Sequence, residues 1–362
     1  MSFASQRKRI RKRDATVVVN NRSEFLTAIR SPDTIIWIPN DVTITIGRGE
    51  HDIGSNVIIA SNRNLGNGTG GLIKTDSYHN PTFFASKDGV RITGLRFQGP
   101  RTDYFNPSSE DELDEYTACG IHFQGKGGIV DNCEIYGWTG FGVGFGTVID
   151  TTQGWVHHNK MHHCQMDGLG YPIESFNGIQ LIEWNYFSYY RHVVAGFGYP
   201  SNGYEARFNV VGPPSQAIAH FAFDMHRLGE QDNIPDSNNT GGKYLNIHHN
   251  VFELISDSAV SNQGKPVKYT RVVNNWTADS ADGGGEVFYT AYPDTARIHD
   301  NNYQAAKEGR AWLNRMKDEI PLSNGVPSPS KWESTKTLPA STVTGTERTP
   351  TKRTDGTDTG RR

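Results

Sequence analysis

HHNKM, residues 157–161, returns as HHNVF at residues 248–252. Two histidines before an asparagine invite a metal reading, because imidazole is a common zinc ligand. Recurrence about ninety residues on favours architecture instead. Short apolar strands ending on asparagine recur at Asn132, Asn159, Asn185, Asn209, Asn250, Asn275 and Asn301. The steps are 27, 26, 24, 41, 25 and 26 residues, and a step near 25 makes one coil of a parallel β-solenoid.

The columns of this alignment agree. Three residues before the anchors stand Ile129, Val156, Ile182, Ala206, Ile247 and Val272, an apolar series that faces a core. The next column, Val130, His157, Glu183, Arg207, His248 and Val273, faces outward. Asparagine at the anchor suits the left-handed backbone of a tight turn, and stacked asparagines bond their neighbours in adjacent coils. His157 and His248 then belong to an outward column, and His158 and His249 to the turn.

The earlier segments TIIWIP, VTITIG, NVIIASN and GVRITGLRF read as less regular coils. NRSEFLTAI, residues 21–29, predicts a short helix with Ser23 as N-cap, covering the open start of the solenoid. AAKEGRAWLNRMKDEI, residues 305–320, predicts a second helix closing the other end. The expected organisation is a basic arm at 1–15, an all-β right-handed parallel β-helix at 16–304 and a cap helix at 305–324. A Ser/Thr/Pro-rich tail at 325–362 is too poor in apolar residues to fold alone.

Composition fits a turn-rich solenoid: 362 residues carry 39 glycines, with a net charge of -3 and a mean hydropathy of -0.59. That charge favours no polyanionic partner for the chain as a whole. Cys119, Cys133 and Cys164 lack C-x-x-C spacing and read as buried thiols rather than a disulfide framework. The N-terminal SFASQRKRIRKRD is basic but has no apolar core of a signal peptide, and no stretch reaches membrane-spanning length. Synthesis in the cytosol is therefore the expectation, without membrane insertion. The basic run suits assembly with a partner surface better than specific nucleic-acid recognition, since no nucleic-acid-binding module accompanies it.

The series SEFLTAI, DTIIWIPNDVTI, NVIIASN, GGLI resembles the start of right-handed parallel β-helix proteins of the pectate-lyase-like superfamily. GLGYPIE through AHFAFDMH resembles more narrowly a group of bacterial and archaeal β-helix repeat proteins; together the likeness spans about residues 16–304. It implies the fold and a carbohydrate ligand. The Arg-x-Pro-x-x-Arg of pectate lyases and the paired aspartates with Gly-His-Gly of polygalacturonases are both missing, so pectin chemistry is not implied.

Chemistry concentrates between residues 189 and 226. The long step from Asn209 contains HFAFDMH, residues 220–226, whose alternation puts Phe221, Phe223 and Met225 on one face. His220, Ala222, Asp224 and His226 form the other, suited to acid–base work, to holding a sugar or, as an alternative, to a metal at Asp224 and His226. Arg191 and His192 follow one turn, while Glu205 and Arg207 project from the next coil, with Tyr171, Tyr199 and Tyr204 near in sequence. Arginine beside tyrosine suits acidic sugars; the competing reading is a Glu183–Arg207 surface ion pair. The catalytic candidates are Arg191, His192, Arg207, Asp224 and His226. The carbohydrate-binding candidates are Tyr171, Tyr199, Tyr204, Glu205 and His220. Asp167, His192, Asp257 and Asp282 would form a polar row. The acidic run SSEDELDEY, residues 108–116, reads as a solvated loop, with Ca2+ as the alternative.

Two functions follow as expectations. One is a glycan-binding β-helix on a larger particle, such as a virion spike, fibre or head decoration, docked through the arm and tail and forming a homotrimer by analogy. The other is a secreted polysaccharide lyase or related depolymerase.

Overall fold

A computed structural model describes residues 9–319, apart from 64, 66–67, 79, 148–151, 216–220, 229–238, 254–257, 279–287 and 303–304. Its strands form three parallel sheets of eleven, nine and nine strands, and each turn of chain adds one strand to each sheet. One coil reads Thr152–His157 in the first sheet, Lys160–Cys164 in the second and Tyr171–Ser175 in the third, before Gly178–Glu183 returns to the first. The protein is a right-handed parallel β-helix. Ile182, Phe187, Val194 and their counterparts in neighbouring coils fill the interior without exposure.

The tight turn between the first and second sheets is built on the asparagines. Asn159, Asn185, Asn209, Asn250 and Asn275 each send a backbone N–H to the side-chain oxygen of the next asparagine, at 3.0 Å in every case. Each side-chain amide also donates to a backbone carbonyl one coil back, as Asn185 does to Val156 at 2.9 Å. The primary amide carries the same donor and acceptor as a peptide, so the ladder satisfies turn groups that no strand can reach.

Two details differ from the sequence alignment. The ladder begins at Cys133, whose N–H donates to Asn159 at 2.9 Å, so Asn132 sits one position earlier. Val130, not Ile129, is therefore the core residue of that coil, and Asp131 pairs with His157 in the outward column. The left-handed backbone lies not at the ladder asparagines but at the residue before, in Asn132, His158, Trp184, Phe208, His249, Asn274 and Asp300, with φ between 55° and 58°. Two bulky residues accept that strained conformation because their rings stack, Trp184 on Phe208 at 5.0 Å.

α1, Arg22–Ala28, covers the start of the core through Phe25, Ala28 and Ile29. Its N-cap is Asn21, not Ser23, because the Asn21 side chain accepts the Glu24 N–H at 3.0 Å. The acidic run forms α2, Glu110–Glu115, capped by Ser109; three carboxylates in its first turn complement the helix dipole. α3, Ala306–Glu319, lies against the last coils, where Trp312 and Leu313 pack on Phe208, Val251 and Trp276. Gly309 permits this approach, since a Cβ there would come within 2.4 Å of the Trp276 ring. From the basic arm, Ile10 is buried against Trp37 and Ala60; the tail lies outside the described residues. No helix among the described residues is long and apolar enough to cross a membrane.

Replacing Asn185 by alanine strands the Asn159 N–H and the Val156 carbonyl in a buried turn. Four bonds are lost, and the two that leave buried backbone groups unpaired should alone cost about 2–4 kcal/mol in urea unfolding; a loss below about 1 kcal/mol would show that the ladder is dispensable.

Candidate functional site

The third sheet gathers polar candidates on its outer face. Glu174, Ala195 and Asp224 are direct neighbours in three successive strands. Two positions later run Phe176, Phe197 and His226, all partly exposed. The two phenylalanines stack at 4.8 Å, Phe197 lies 5.9 Å from His226, and His122, from the Glu174 column two strands back, reaches across to stack on Phe176 at 5.4 Å. Strand stacking thus makes a strip of rings along the solenoid axis, ending at an imidazole.

Asp224 is wholly buried and its carboxylate meets His226 Nε2 at 2.7 Å. Gln263 donates to the same carboxylate at 3.1 Å. Burial works to raise the Asp224 pKa, but the His226 partnership outweighs it and holds the carboxyl below its ordinary value. With Nε2 bound, His226 presents Nδ1 to an incoming group. The strand beneath is pinned by Tyr204, whose hydroxyl crosses the interior to the Asp224 carbonyl at 2.9 Å.

Behind this pair lies a second cluster. His192 donates Nδ1–H to the Phe221 carbonyl at 2.7 Å, and its Nε2 accepts from the Arg191 guanidinium at 2.8 Å. Burial first, then the Arg191 charge, holds His192 well below the ordinary imidazole range, so it is neutral. Arg191 also donates to the Tyr171 hydroxyl at 3.1 Å and lies 3.9 Å from Asp167. An arch from the long loop at 99–119 closes over these groups: Phe105 pairs with Met166, and Gln165 donates to the Thr102 carbonyl at 2.7 Å. The arch delivers Tyr104, whose buried hydroxyl has no hydrogen-bond partner among the described residues. Burial, and then Asp167, raise its pKa.

His192, Asp224 and His226 offer three ligand atoms within 4.8 Å of one another. As bonded here, these atoms hold one another and Arg191 rather than a cation. The only nitrogen of His192 free of the backbone already accepts from a guanidinium, and Ca2+ requires oxygen ligands that two imidazoles do not supply. The HHNKMHH histidines do not converge on a metal either. They bond in adjacent pairs, His157 to His158 at 2.8 Å and His162 to His163 at 2.7 Å, each through Nδ1.

The structure therefore divides the sequence candidates. Arg191, His192, Asp224, His226 and Tyr171 come together, with Asp167 from the polar row. Arg207 and Glu205 lie on the first sheet instead, because their strand precedes the asparagine turn. There Arg207 pairs with Glu183 and Glu205, both at 2.8 Å. Burial opposes ionisation of Glu205, but bonds from His248 and the Arg207 charge bring its pKa to about 2. The Glu183–Arg207 ion pair is therefore present but not at the surface, its side chains being 5% and 13% exposed. Tyr204 is interior rather than carbohydrate-facing, and partly exposed Tyr199 sits in the turn beyond Phe197. Phe223 and Met225 enter the core as expected, joined by Ala222, whereas Phe221 stacks on His192. His220, Asp257 and Asp282 lie outside the described residues.

Sequence reasoning missed Tyr104, Glu174, Gln263 and the ring strip. Glu174 had a signal in YPIES, where alternation places it opposite apolar Ile173. It is 5% exposed, and its Oε2 is buried with no hydrogen-bond partner.

The class defined by these sheets is a parallel β-helix with a polar cluster on the outside of one sheet. Among solved structures the chain is similar to an alginate lyase from Paenibacillus sp. str. FPU-7. The match has 13% identity and a TM-score of 0.47 over 79% of this chain and 98% of that one. No family model matches the chain, and no curated protein matches it.

Burial raises the Glu174 pKa well above its ordinary value of 4.5. The folded protein then keeps a proton that the unfolded chain releases, so stability falls as pH rises from 4.5 towards the folded pKa. Glu174→Gln removes this loss. Its stability relative to wild type should grow by up to about 1.4 kcal/mol per pH unit through that window, read by urea unfolding across pH. A pH-independent difference would place the carboxyl in contact with water.

Proposed function

We propose that the protein binds an acidic polysaccharide along the outer face of the third sheet and cleaves it by β-elimination. The observation that carries this reading is the Asp224–His226 pair at the end of an accessible aromatic strip. Aromatic faces accept pyranose rings through their apolar C–H surface. His226, oriented through Nε2 by a buried carboxylate, is a base whose Nδ1 can take the proton beside a uronate carboxyl group. The turn after the strip is basic: Lys265 and Lys268 are exposed and enter no ion pair among the described residues. Such a rim draws a polyanion towards the strip. Arg191 and His192 act from below, fixing Tyr171 and the corner of the sheet.

A second reading, glycan binding without turnover, uses the same strip. It is favoured by the complete burial of His192 and Asp224, which suits a scaffold as well as a reactive centre. Carriage on a particle such as a virion, a trimeric assembly and docking through residues 1–15 and 325–362 belong to that reading. A secreted location belongs to the lyase reading.

Incubation with acidic and neutral polysaccharides, followed by unsaturated-product absorbance, reducing ends and retention on each polymer, separates the two. Product is expected from an acidic polymer. His226→Ala should lower kcat/KM by about 100-fold or more. Arg207→Ala should lower the melting temperature but leave turnover within about twofold, since its ion pairs serve the other sheet. Retention without product on every polymer would sink the lyase reading and leave the binding one.

A further inference from the structure

Resting on the lyase reading, we propose that Glu174 is a second catalytic residue, the acid that protonates the departing glycosidic oxygen while His226 removes the proton from carbon.

The outward column of the third sheet places the two groups. Glu174 and Asp224 are separated by one strand, which contributes Ala195 between them. Their backbones are thus about 9–10 Å apart, two strand spacings. His226, two residues beyond Asp224, leans back onto that carboxylate. Alanine sends no side chain across the gap, and the stacked Phe176–Phe197 pair runs alongside it. A sugar ring laid on that pair lies beside the column that carries Glu174 and next to His226, which continues the row of Phe197.

The surroundings of Glu174 suit an acid that must keep its proton. Its neighbours in the column are Gly144 and Ala195, neither of which offers a polar side chain, and His122, next beyond Gly144, has its Nε2 engaged by the Gly146 carbonyl. Cys119, Phe141, Tyr171 and Phe176 form an apolar cluster on the same face. Glycine at 144 lets the Phe141 ring fold close, for a Cβ there would lie 2.7 Å from it. Among the described residues Oε2 has no hydrogen-bond partner and the carboxyl enters no ion pair, so burial alone governs its ionisation. Asp224, one strand further on, has His226 and Gln263 instead. Two carboxyls in one column with opposite environments divide acid from base. Tyr104 is the alternative donor, but burial moves its hydroxyl up from 10, away from working pH, and moves Glu174 up from 4.5, towards it.

The step balances. His226 Nδ1 takes the proton from the carbon beside the uronate carboxyl group, and those electrons form the ring double bond. The bond from the adjacent carbon to the glycosidic oxygen breaks, and that oxygen takes the Glu174 proton. One product chain ends in an unsaturated sugar and the other in a hydroxyl. Solvent then returns a proton to Glu174 and removes one from His226.

The test compares wild type, Glu174→Gln, Glu174→Asp and His226→Ala on two substrates. One is the polymer that wild type cleaves. The other is a uronate bearing 2,4-dinitrophenoxide on the carbon adjacent to the one that loses its proton, a leaving group that departs without a proton. Folding of each variant is checked by its melting curve. Glu174→Gln should lose about 100-fold or more in kcat on the polymer and stay within about threefold on the aryl substrate. Glu174→Asp should recover part of the polymer activity, and His226→Ala should fail on both. Equal loss by Glu174→Gln on the two substrates, or polymer activity within about threefold of wild type, would overturn the assignment while leaving the lyase reading intact. No unsaturated product from wild type on any acidic polymer would overturn both.

Discussion

One side-chain amide, repeated at the same corner of successive coils, holds this solenoid in register. Between the first and second sheets the chain turns too sharply for its own N–H groups to join either ladder. Asparagine supplies the missing partner, because it reproduces the peptide donor and acceptor and repeats at the spacing of stacked strands. The side chains outside the corner follow from this registration. Bulky Trp184 and Phe208 occupy left-handed positions because stacking compensates them, and α3 then packs on the aromatic surface they begin.

The same registration builds the candidate site. A parallel solenoid turns sequence positions about one coil apart into adjacent positions on a line, so chemistry accumulates in columns. Glu174, Ala195 and Asp224 are far apart in sequence but form one short column. Phe176, Phe197 and His226 form the next. No loop has to close to place these groups, and their separation is set by strand spacing rather than by flexible side chains. The arch that carries Tyr104 is the exception, and it is tied down by backbone pairing at Phe105 and Met166.

The molecule keeps two kinds of charge apart. On the first sheet Arg91 is bonded to Asp131 at 2.7 Å, while Arg207 joins Glu183 and Glu205. These carboxylates are each matched by a cation, which makes them struts between coils. On the third sheet Glu174 has no cation among the described residues, and Asp224 is held by His226 and Gln263 rather than by an arginine or lysine. A buried ionisable group without a compensating charge is costly, which is why Glu174 marks the third sheet rather than the first as the candidate site.

The sequence alone was enough for the fold, because a period near 25 residues and alternating strands leave few ways to bury the apolar columns. It also revealed the asparagine ladder, the buried thiols and the structural character of the paired histidines. It misplaced the first anchor by one residue, since VDNCEIYG offers an asparagine at the left-handed position where later coils place one after it. For the site, sequence proximity drew Arg207 and Glu205 towards Arg191 and His192. Only the tertiary structure could part them, because strands close in sequence belong to different faces of the solenoid. Conversely, it alone joined Glu174 to Asp224 and delivered Tyr104 to Asp167. Contacts between coils depend on exact coil length and loop path, and neither is written in the local pattern of residues.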